Sequence, residues 1–599
     1  MKKIFFAIMG AAALLLLAGC EEKGEVFYQN PYRIIVDYQP STFTINGISG
    51  NVTPDDSYDW ITSNGNGSFT VRRNTTGKIR RAEFTVAGSK DKAVVNQKAH
   101  SLDAKLSTSL LSKDADAQTA TFNVKFTTEF PDDYESWGYI FGTENDPAKG
   151  KEYPQGNFSA GDQTVNLTGV DPEQNYFFWG YALSTEGDKL VTSVFGLAKP
   201  VQVRAGEDLQ KAIDGAQEFS EIRVQGGAVF NGTILFDDKN KNKTLTGGWN
   251  EDFTEQSWDN LTVIDGGNKG RCLYFANDAT SSNPLNGYAE VSYFEIRNGW
   301  TASGHGGGLK VIGGPVTIHH CWFHHNEADR GGAFSTIEDD SWANITVYDC
   351  VITDNVANGH AGAFSIEDGP SRSNPNKAVI VGNIIANNRS IKHDGYAGSV
   401  YFYQSVDVQF VNNTVINSLN FYEDNGNWWG SFYCRYNTCA IIANNMILRT
   451  WCSKSDNHAF IEEWPIEGGS ASTTFNNNIV TGKLWNCNGP KEGNLLYDHT
   501  VAATDFLNNP DVDMVADEDL QNKDAVFKYN KLTDFIGENY MPKGAALGAG
   551  TIGTFPYNSY ESPKFTSDVK ALLEKFGTDI NGNPFIKGGK TDIGAIQSK

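Results

Sequence analysis

From about residue 290 to residue 485 the apolar positions fall into short runs that return at a nearly constant interval. One unit has a landmark residue, two mostly apolar residues, two more, and a position that is often Asn. It appears as CWFHHN from Cys321, CVITDN from Cys350 and NIIANN from Asn383. It continues as NTVINS from Asn413, NMILRT from Asn445 and NIVTGK from Asn478, with an earlier YFEIRN from Tyr293. The successive spacings are 28, 29, 33, 30, 32 and 33 residues. A second landmark opens another strand-like run in each interval: Gly-Gly-Ala-Phe at 331, Ala-Gly-Ala-Phe at 361, Ala-Gly-Ser-Val at 397, Trp-Gly-Ser-Phe at 429. Two strand signals per interval, joined by loops of variable length, predict a solenoid whose coils stack about 4.8 Å apart. Equivalent residues then form columns, and an internal Asn or Cys column is expected, because stacked amides hydrogen-bond along the axis. Cys321 and Asn326 are therefore rung residues, with His324 and His325 on a solvated face.

The remaining pattern is also mostly strand-like. Residues 68–97, SFTVRRNTTGKIRRAEFTVAGSKDKAVVNQ, give three strands separated by polar turns. In ATFNVKF, Phe122, Val124 and Phe126 alternate with polar neighbours, as on a half-buried strand. Helical spacing occurs in two short places. Leu209, Ala212, Ile213 and Ala216 form one stripe in GEDLQKAIDGAQ, and SDVKALLEKFG forms the other near the end. The predicted fold class is all-β: a right-handed parallel β-helix over 204–599, preceded by two small β-sandwich domains at 24–100 and 101–203.

Composition supports this reading: 61 glycines, 12% aromatic and only 20% charged residues suit an all-β chain of 599 residues with many turns. A formal net charge of −23 gives the long-range field the wrong sign for nucleic acid or an anionic bilayer surface. Eight cysteines include no Cys-x-x-Cys pair, so a zinc knuckle is not expected. Cys434–Cys439 and Cys452–Cys487 are possible bridges, and an odd number beyond Cys20 leaves at least one thiol.

The N-terminus carries Lys2 and Lys3, an apolar run from Ile4 to Leu17, and then Leu17-Ala18-Gly19-Cys20. This is a secretory signal too short to span a bilayer. Leu-Ala-Gly-Cys resembles a bacterial lipobox, which implies cleavage before Cys20 and lipidation of its thiol, tethering the mature protein to a membrane by acyl chains. Glu21 and Glu22 resemble the export signal of Bacteroidetes surface lipoproteins. The expected location is the outer membrane, lipid-anchored and exposed at the cell surface, with the protein a monomer. YDWITSNG with the three strands after it resembles a BACON-type module, which implies a spacer. VNLTGVDPEQNYFFWGYALS resembles the end of a fibronectin type III-like domain. The Phe323-x-x-Asn326…Gly331-Gly332-Ala333 pattern resembles the repeat of polymorphic outer-membrane proteins. TDIGAIQ at 591–597 is similar to the ends of exported right-handed β-helix proteins. These resemblances imply pectate-lyase-like architecture but no single chemistry.

Stacking turns the alignment into a surface map. With Leu309, Phe334, Phe364, Val400, Phe432 and Phe460 inward, alternation places Lys310, Ser335, Ser365, Tyr401, Tyr433 and Ile461 outward. Two positions further on come Glu367, Tyr403, Arg435 and Glu463, and the preceding turn carries His305, Arg330, His360, Tyr396, Trp428 and Asp456. Candidate substrate-binding residues are Lys310, Tyr396, Tyr401, Tyr433, Trp428, Trp429 and Trp464, because aromatic faces stack on sugar rings. Candidate catalytic residues are His360, Tyr403, Arg435 and Arg330. In β-elimination on a uronic acid a base takes the proton beside the carboxylate while a cation stabilises the resulting charge. Glu338, Asp339, Glu367 and Asp368 offer hard oxygen ligands for a calcium ion, the candidate cofactor. Hydrolysis through Glu367 and Glu463 is a competing mechanism, disfavoured by a separation of about 14 Å across three coil steps. The leading expectation is a lyase acting on an extracellular, uronate-containing polysaccharide. A non-catalytic glycan-binding protein and a glycoside hydrolase are the alternatives.

Overall fold

Runs of alternating Val, Ile, Phe and polar residues close into strands wherever one face can be buried. The computed structural model describes residues 30–598 except 115–116, 172–173, 218–219, 238–242, 277–288, 337–342, 370–374, 392–396, 422–429, 436–437, 453–457, 464–472, 486–491, 499–500, 509–530 and 557–565. Two compact units divide the chain, one reaching Phe195 and the other holding 172–174 and 196–599.

The first unit contains two modules, each built from two sheets. In the first, the order Arg33–Val36, Ala93–Gln97, Arg80–Val86, Val52–Pro54 makes one sheet, and Ser41–Thr44, Ser68–Val71, Ile61–Gly65 make the other. Trp60, Phe69 and Phe84 fill the core between them. In the second module Phe122 stacks on Phe178 at 4.2 Å across its two sheets. The fully buried Asp133 joins the modules, bonded by Arg73 and by His100 of the first.

The second unit is a parallel β-helix. Three ribbons of parallel strands run along it, here named sheets A, B and C. Sheet A includes Leu273–Ala276, the start of Leu309–His319, Phe334–Ser335, Phe364–Glu367, Ala397–Tyr403, Gly430–Arg435 and His458–Glu463. Sheet B follows it in each coil, through strands such as Ala343–Tyr348, Asn376–Val381 and Val406–Val411. Sheet C contains Trp322–His324, Val351–Thr353, Ile384–Ala386, Thr414–Asn420 and Met446–Cys452. The first strand of the β-helix, Val201–Val203, pairs in parallel with Ile222–Val224, so the solenoid begins before residue 204. Both short helices form, at Leu209–Gly215 and Val569–Phe576, and each is capped by an Asp side chain at its N-terminus.

The landmark residues turn the corner between sheets B and C. Asn383, Asn413, Asn445 and Asn478, all buried, and the half-buried Asn494 form a ladder whose side-chain amides donate to the next amide oxygen at 2.9–3.2 Å. A second ladder, Asn326–Asn355–Asn388, bonds at 2.9 and 3.0 Å. The residue before each rung takes a left-handed backbone: His320, Asp349, Asn412, Asn444 and Asn477 in one column, His325, Asp354, Asn387 and Asn417 in the other. Asn and Asp tolerate that conformation best among residues with a side chain.

One member of the second column is mismatched to its burial. Asp354 is 5% exposed, its Oδ2 has no hydrogen-bond partner, and burial pushes its carboxyl up to about 7. The folded state therefore holds a proton that the unfolded chain releases at its ordinary value near 3.8, so this group's contribution to stability falls as pH rises from about 4 to about 7. Asp354→Asn, matching Asn387 and Asn417 in the next two coils, is expected to remove that loss. Its urea midpoint should gain on wild type in mildly alkaline buffer and match it in acid.

The segment after residue 500 folds back over two of the three sheets. Phe506, Leu507, Phe535, Tyr540 and Ile593 pack on the outer face of sheet C against Ile384, Ile416 and Met446. Val569, Leu573 and Phe585 pack on sheet B against Val381 and Val411. Two expectations are corrected here. Cys434 and Cys439 remain thiols, since Cys434 faces the core while Cys439 lies in a separate outer cluster. Cys452 is likewise a thiol, and Cys487 lies outside the described residues. His324 is not solvated: it is 7% exposed, stacks on Trp322 at 3.8 Å and hydrogen-bonds Glu295 at 3.0 Å, while its neighbour His325 is exposed.

Candidate active site on sheet A

Strand pairing fixes the columns of sheet A. Leu309, Phe334, Phe364, Val400, Phe432 and Phe460 are in register and buried in the core. The outward columns are Lys310–Ser335–Ser365–Tyr401–Tyr433 and Glu367–Tyr403–Arg435. The turn before them aligns His305 with Arg330 through a parallel bridge, and the Gly331 N–H donates to the His360 carbonyl at 3.0 Å. Gly331 has φ 62°, and a Cβ there would lie 2.1 Å from the Phe334 carbonyl oxygen, so only glycine lets Arg330 stand at this corner.

At the centre of this face lies an ion pair. Arg330 Nη1 donates to Glu367 Oε2 at 2.7 Å, and the Ser365 hydroxyl donates to Oε1 of the same carboxylate. Glu367 is fully buried, whereas the Arg330 side chain is 33% exposed. Burial pushes the Glu367 carboxyl up to about 7, against the opposing pull of Arg330 and the Ser365 hydrogen bond. Burial acts in the other direction on His360, which is 4% exposed, and the charges of Arg330 and Arg435 add to it. The imidazole is held well below its ordinary value and stays neutral.

The tyrosines do not form the open stacking platform expected from their alternation. Tyr401 is 2% exposed and Tyr433 fully buried, and their rings stack on each other at 5.6 Å with 10° between planes. They cluster with Ala361 and Ala397, and Tyr401 also meets His360 at 4.9 Å. A ring covered on its faces by neighbours has none left for a sugar. Burial, then the Glu367 carboxylate, raises the Tyr401 phenol well above its ordinary value, while a hydrogen bond with Arg435 opposes them. Described side chains of this face that reach the surface in part include Lys310, Arg330, Tyr403 and Arg435. Arg435 lies 6.0 Å from the centroid of the Tyr403 ring, a cation–π contact.

Several candidates are not brought into this picture. Tyr396, Trp428, Trp429, Trp464, Glu338 and Asp339, like Cys20, lie outside the described residues. Of the four carboxylates expected to hold calcium, Glu367 and Asp368 are among the described residues. Glu367 is bonded by the Arg330 guanidinium and the Ser365 hydroxyl, and among the described residues no group of three His, Cys, Asp or Glu is placed to hold a metal. Ser365 was missed as a functional residue. Its signal was available: it stands two positions before Glu367 on the same strand face.

Neither a family model nor a curated protein matches the chain in sequence. Solved structures it is similar to include the pectate lyase of Erwinia chrysanthemi in complex with tetragalacturonic acid, at 10% identity and TM-score 0.16, covering 64% of this chain and 92% of that one. A pectate lyase of Pectobacterium carotovorum is 11% identical, with TM-score 0.17 and coverage of 67% and 92%. A family 28 exopolygalacturonase of Yersinia enterocolitica is 9% identical, with TM-score 0.14 and coverage of 66% and 99%. At such low scores the fold rests on the strand pairing itself, and the chemistry on the side chains of this chain.

Proposed function

We propose that the β-helix cleaves a uronate-containing polysaccharide by β-elimination on the outer face of sheet A. One observation carries the reading: a partly exposed phenol, Tyr403, stands in register between the coil of Glu367, bonded by Arg330, and the coil of Arg435. Two guanidinium groups suit the carboxylate of a uronate and the negative charge that develops when its neighbouring proton leaves. Acting as a phenolate beside Arg435, Tyr403 takes that proton and, as the phenol so formed, delivers it to the departing sugar oxygen as the C–O bond breaks. Glu367 and Ser365 fix Arg330, and the neutral, buried His360 is a positioning residue. Hydrolysis through Glu367 and Glu463 is disfavoured by register: three ladder steps put them about 14 Å apart, beyond the ~5–9.5 Å that paired-carboxylate mechanisms use. The wider reading is a lipid-anchored protein of the cell surface, tethered through Cys20, whose two N-terminal modules act as spacers.

The test is ultraviolet absorbance of unsaturated products when the chain lacking residues 1–20 meets pectins, alginate and glycosaminoglycans. Tyr403→Phe is expected to lower turnover by about 10²–10⁴-fold with an unchanged circular dichroism spectrum. Turnover within twofold of wild type sinks the assignment of Tyr403. New reducing ends without unsaturation would mean hydrolysis, and retention without cleavage would mean binding alone.

A further inference from the structure

A cavity of about 390 Å³ opens on a different sheet from the candidate active site. It lies against the outer face of sheet C, between the early coils and the short helix Leu532–Phe535. Its lining includes Trp258, Asp259, Glu295, Trp322, Lys531 and Thr533. The volume lies within the ~300–1,000 Å³ typical of small-molecule sites.

The lining combines aromatic rings with a carboxylate held in a fixed position. Trp258 packs its ring against Tyr293 and His320, at 6.1 and 5.6 Å, yet its indole N–H is buried without a hydrogen-bond partner in the protein. Glu295 is held from one side by a chain of fixed groups: Oε1 accepts from Arg297 at 2.6 Å and lies 3.0 Å from His324 Nε2, and Arg297 also bonds Asp265. Although burial works the other way, His324 and Arg297 keep Glu295 below the usual carboxylate range, so it is an ionised acceptor at neutral pH.

The geometry points to a second saccharide-binding site, for a neutral sugar ring, in this cavity. Indole surfaces supply apolar contact, Lys531 and Thr533 supply donors, and Glu295 and Asp259 accept hydroxyl protons. Two carboxylates against one ammonium make the site repel a uronate, which separates its ligand from that proposed for sheet A. The inference does not rest on the lyase reading.

Saturation-transfer NMR and tryptophan fluorescence would be recorded on the chain lacking residues 1–20, titrated with neutral mono- to tetrasaccharides of glucose, galactose, mannose and xylose. Galacturonic acid would serve as the anionic comparison. At least one neutral series is expected to bind saturably, about tenfold weaker in Trp258→Phe and weaker in Thr533→Val, an exposed position with little bearing on folding. Tyr403→Phe is expected to leave this binding unchanged. Absence of saturable binding by every neutral sugar, indifference to both cavity variants, or tighter binding of galacturonic acid would each overturn the proposal.

Discussion

Arg330→Met is expected to destabilise the β-helix by about 3 kcal/mol in mildly alkaline buffer, because it strands a fully buried carboxylate. The figure is at the lower end for a broken buried pair, since Arg330 is itself one-third exposed and screened by water. The pH dependence follows from Glu367. Its folded value of about 7 lies above its ordinary 4.5, so the native state binds more protons across that interval and stability from this group declines as pH rises through it. Without Arg330 the carboxyl moves higher still, and the deficit widens with pH. Urea unfolding in acid and in alkali should therefore show a small loss in the first and a large one in the second. Arg330→Met combined with Glu367→Gln should recover most of it, as replacing both partners removes the uncompensated charge. Equal losses at both pH values, or no recovery in the double variant, would show that the pair is not held as described.

Asn413→Ala is expected to cost more, about 3–6 kcal/mol. Asn413 Nδ2 donates to the carbonyls of Ile380 and Val411 at 2.9 and 3.1 Å, and its Oδ1 accepts from both the backbone and the side-chain amide of Asn383. Removing the amide leaves several buried polar groups unmet in a site too closed to admit water. Asn445→Ala, one coil further on, has the same bonds to lose and should behave alike. A urea midpoint within error of wild type for both would show that the ladder contributes register without stability.

The columns of sheet A were legible in the sequence because register is a local property. Once Phe334, Phe364, Val400 and Phe432 are aligned as core, the strand period of two assigns Ser365, Tyr401 and Tyr433 outward with no further information. The Asn ladder followed from the same spacing. What alternation could not supply is what lies on top of an outward residue. Tyr401 and Tyr433 read as exposed because they leave the core, yet they are buried against one another and against His360. His324 read as solvated for the same reason, and Trp322 and Glu295 cover it. The missed role of Ser365 is of this type too, for it depends on where the Glu367 carboxylate turns.

The sequence by itself determined the solenoid, its period, the corner asparagines and which residues leave the core, because each of these repeats within about thirty residues. Only the tertiary structure decided which outer faces are covered and which groups are charged. Asn412 on the coil corner donates to Thr591 Oγ1 at 3.0 Å across 179 residues, as the C-terminal segment closes over sheets B and C. No periodicity announces a contact of that range. Burial, and with it the protonation of Asp354 and Glu367, is set by the sum of neighbours from distant parts of the chain.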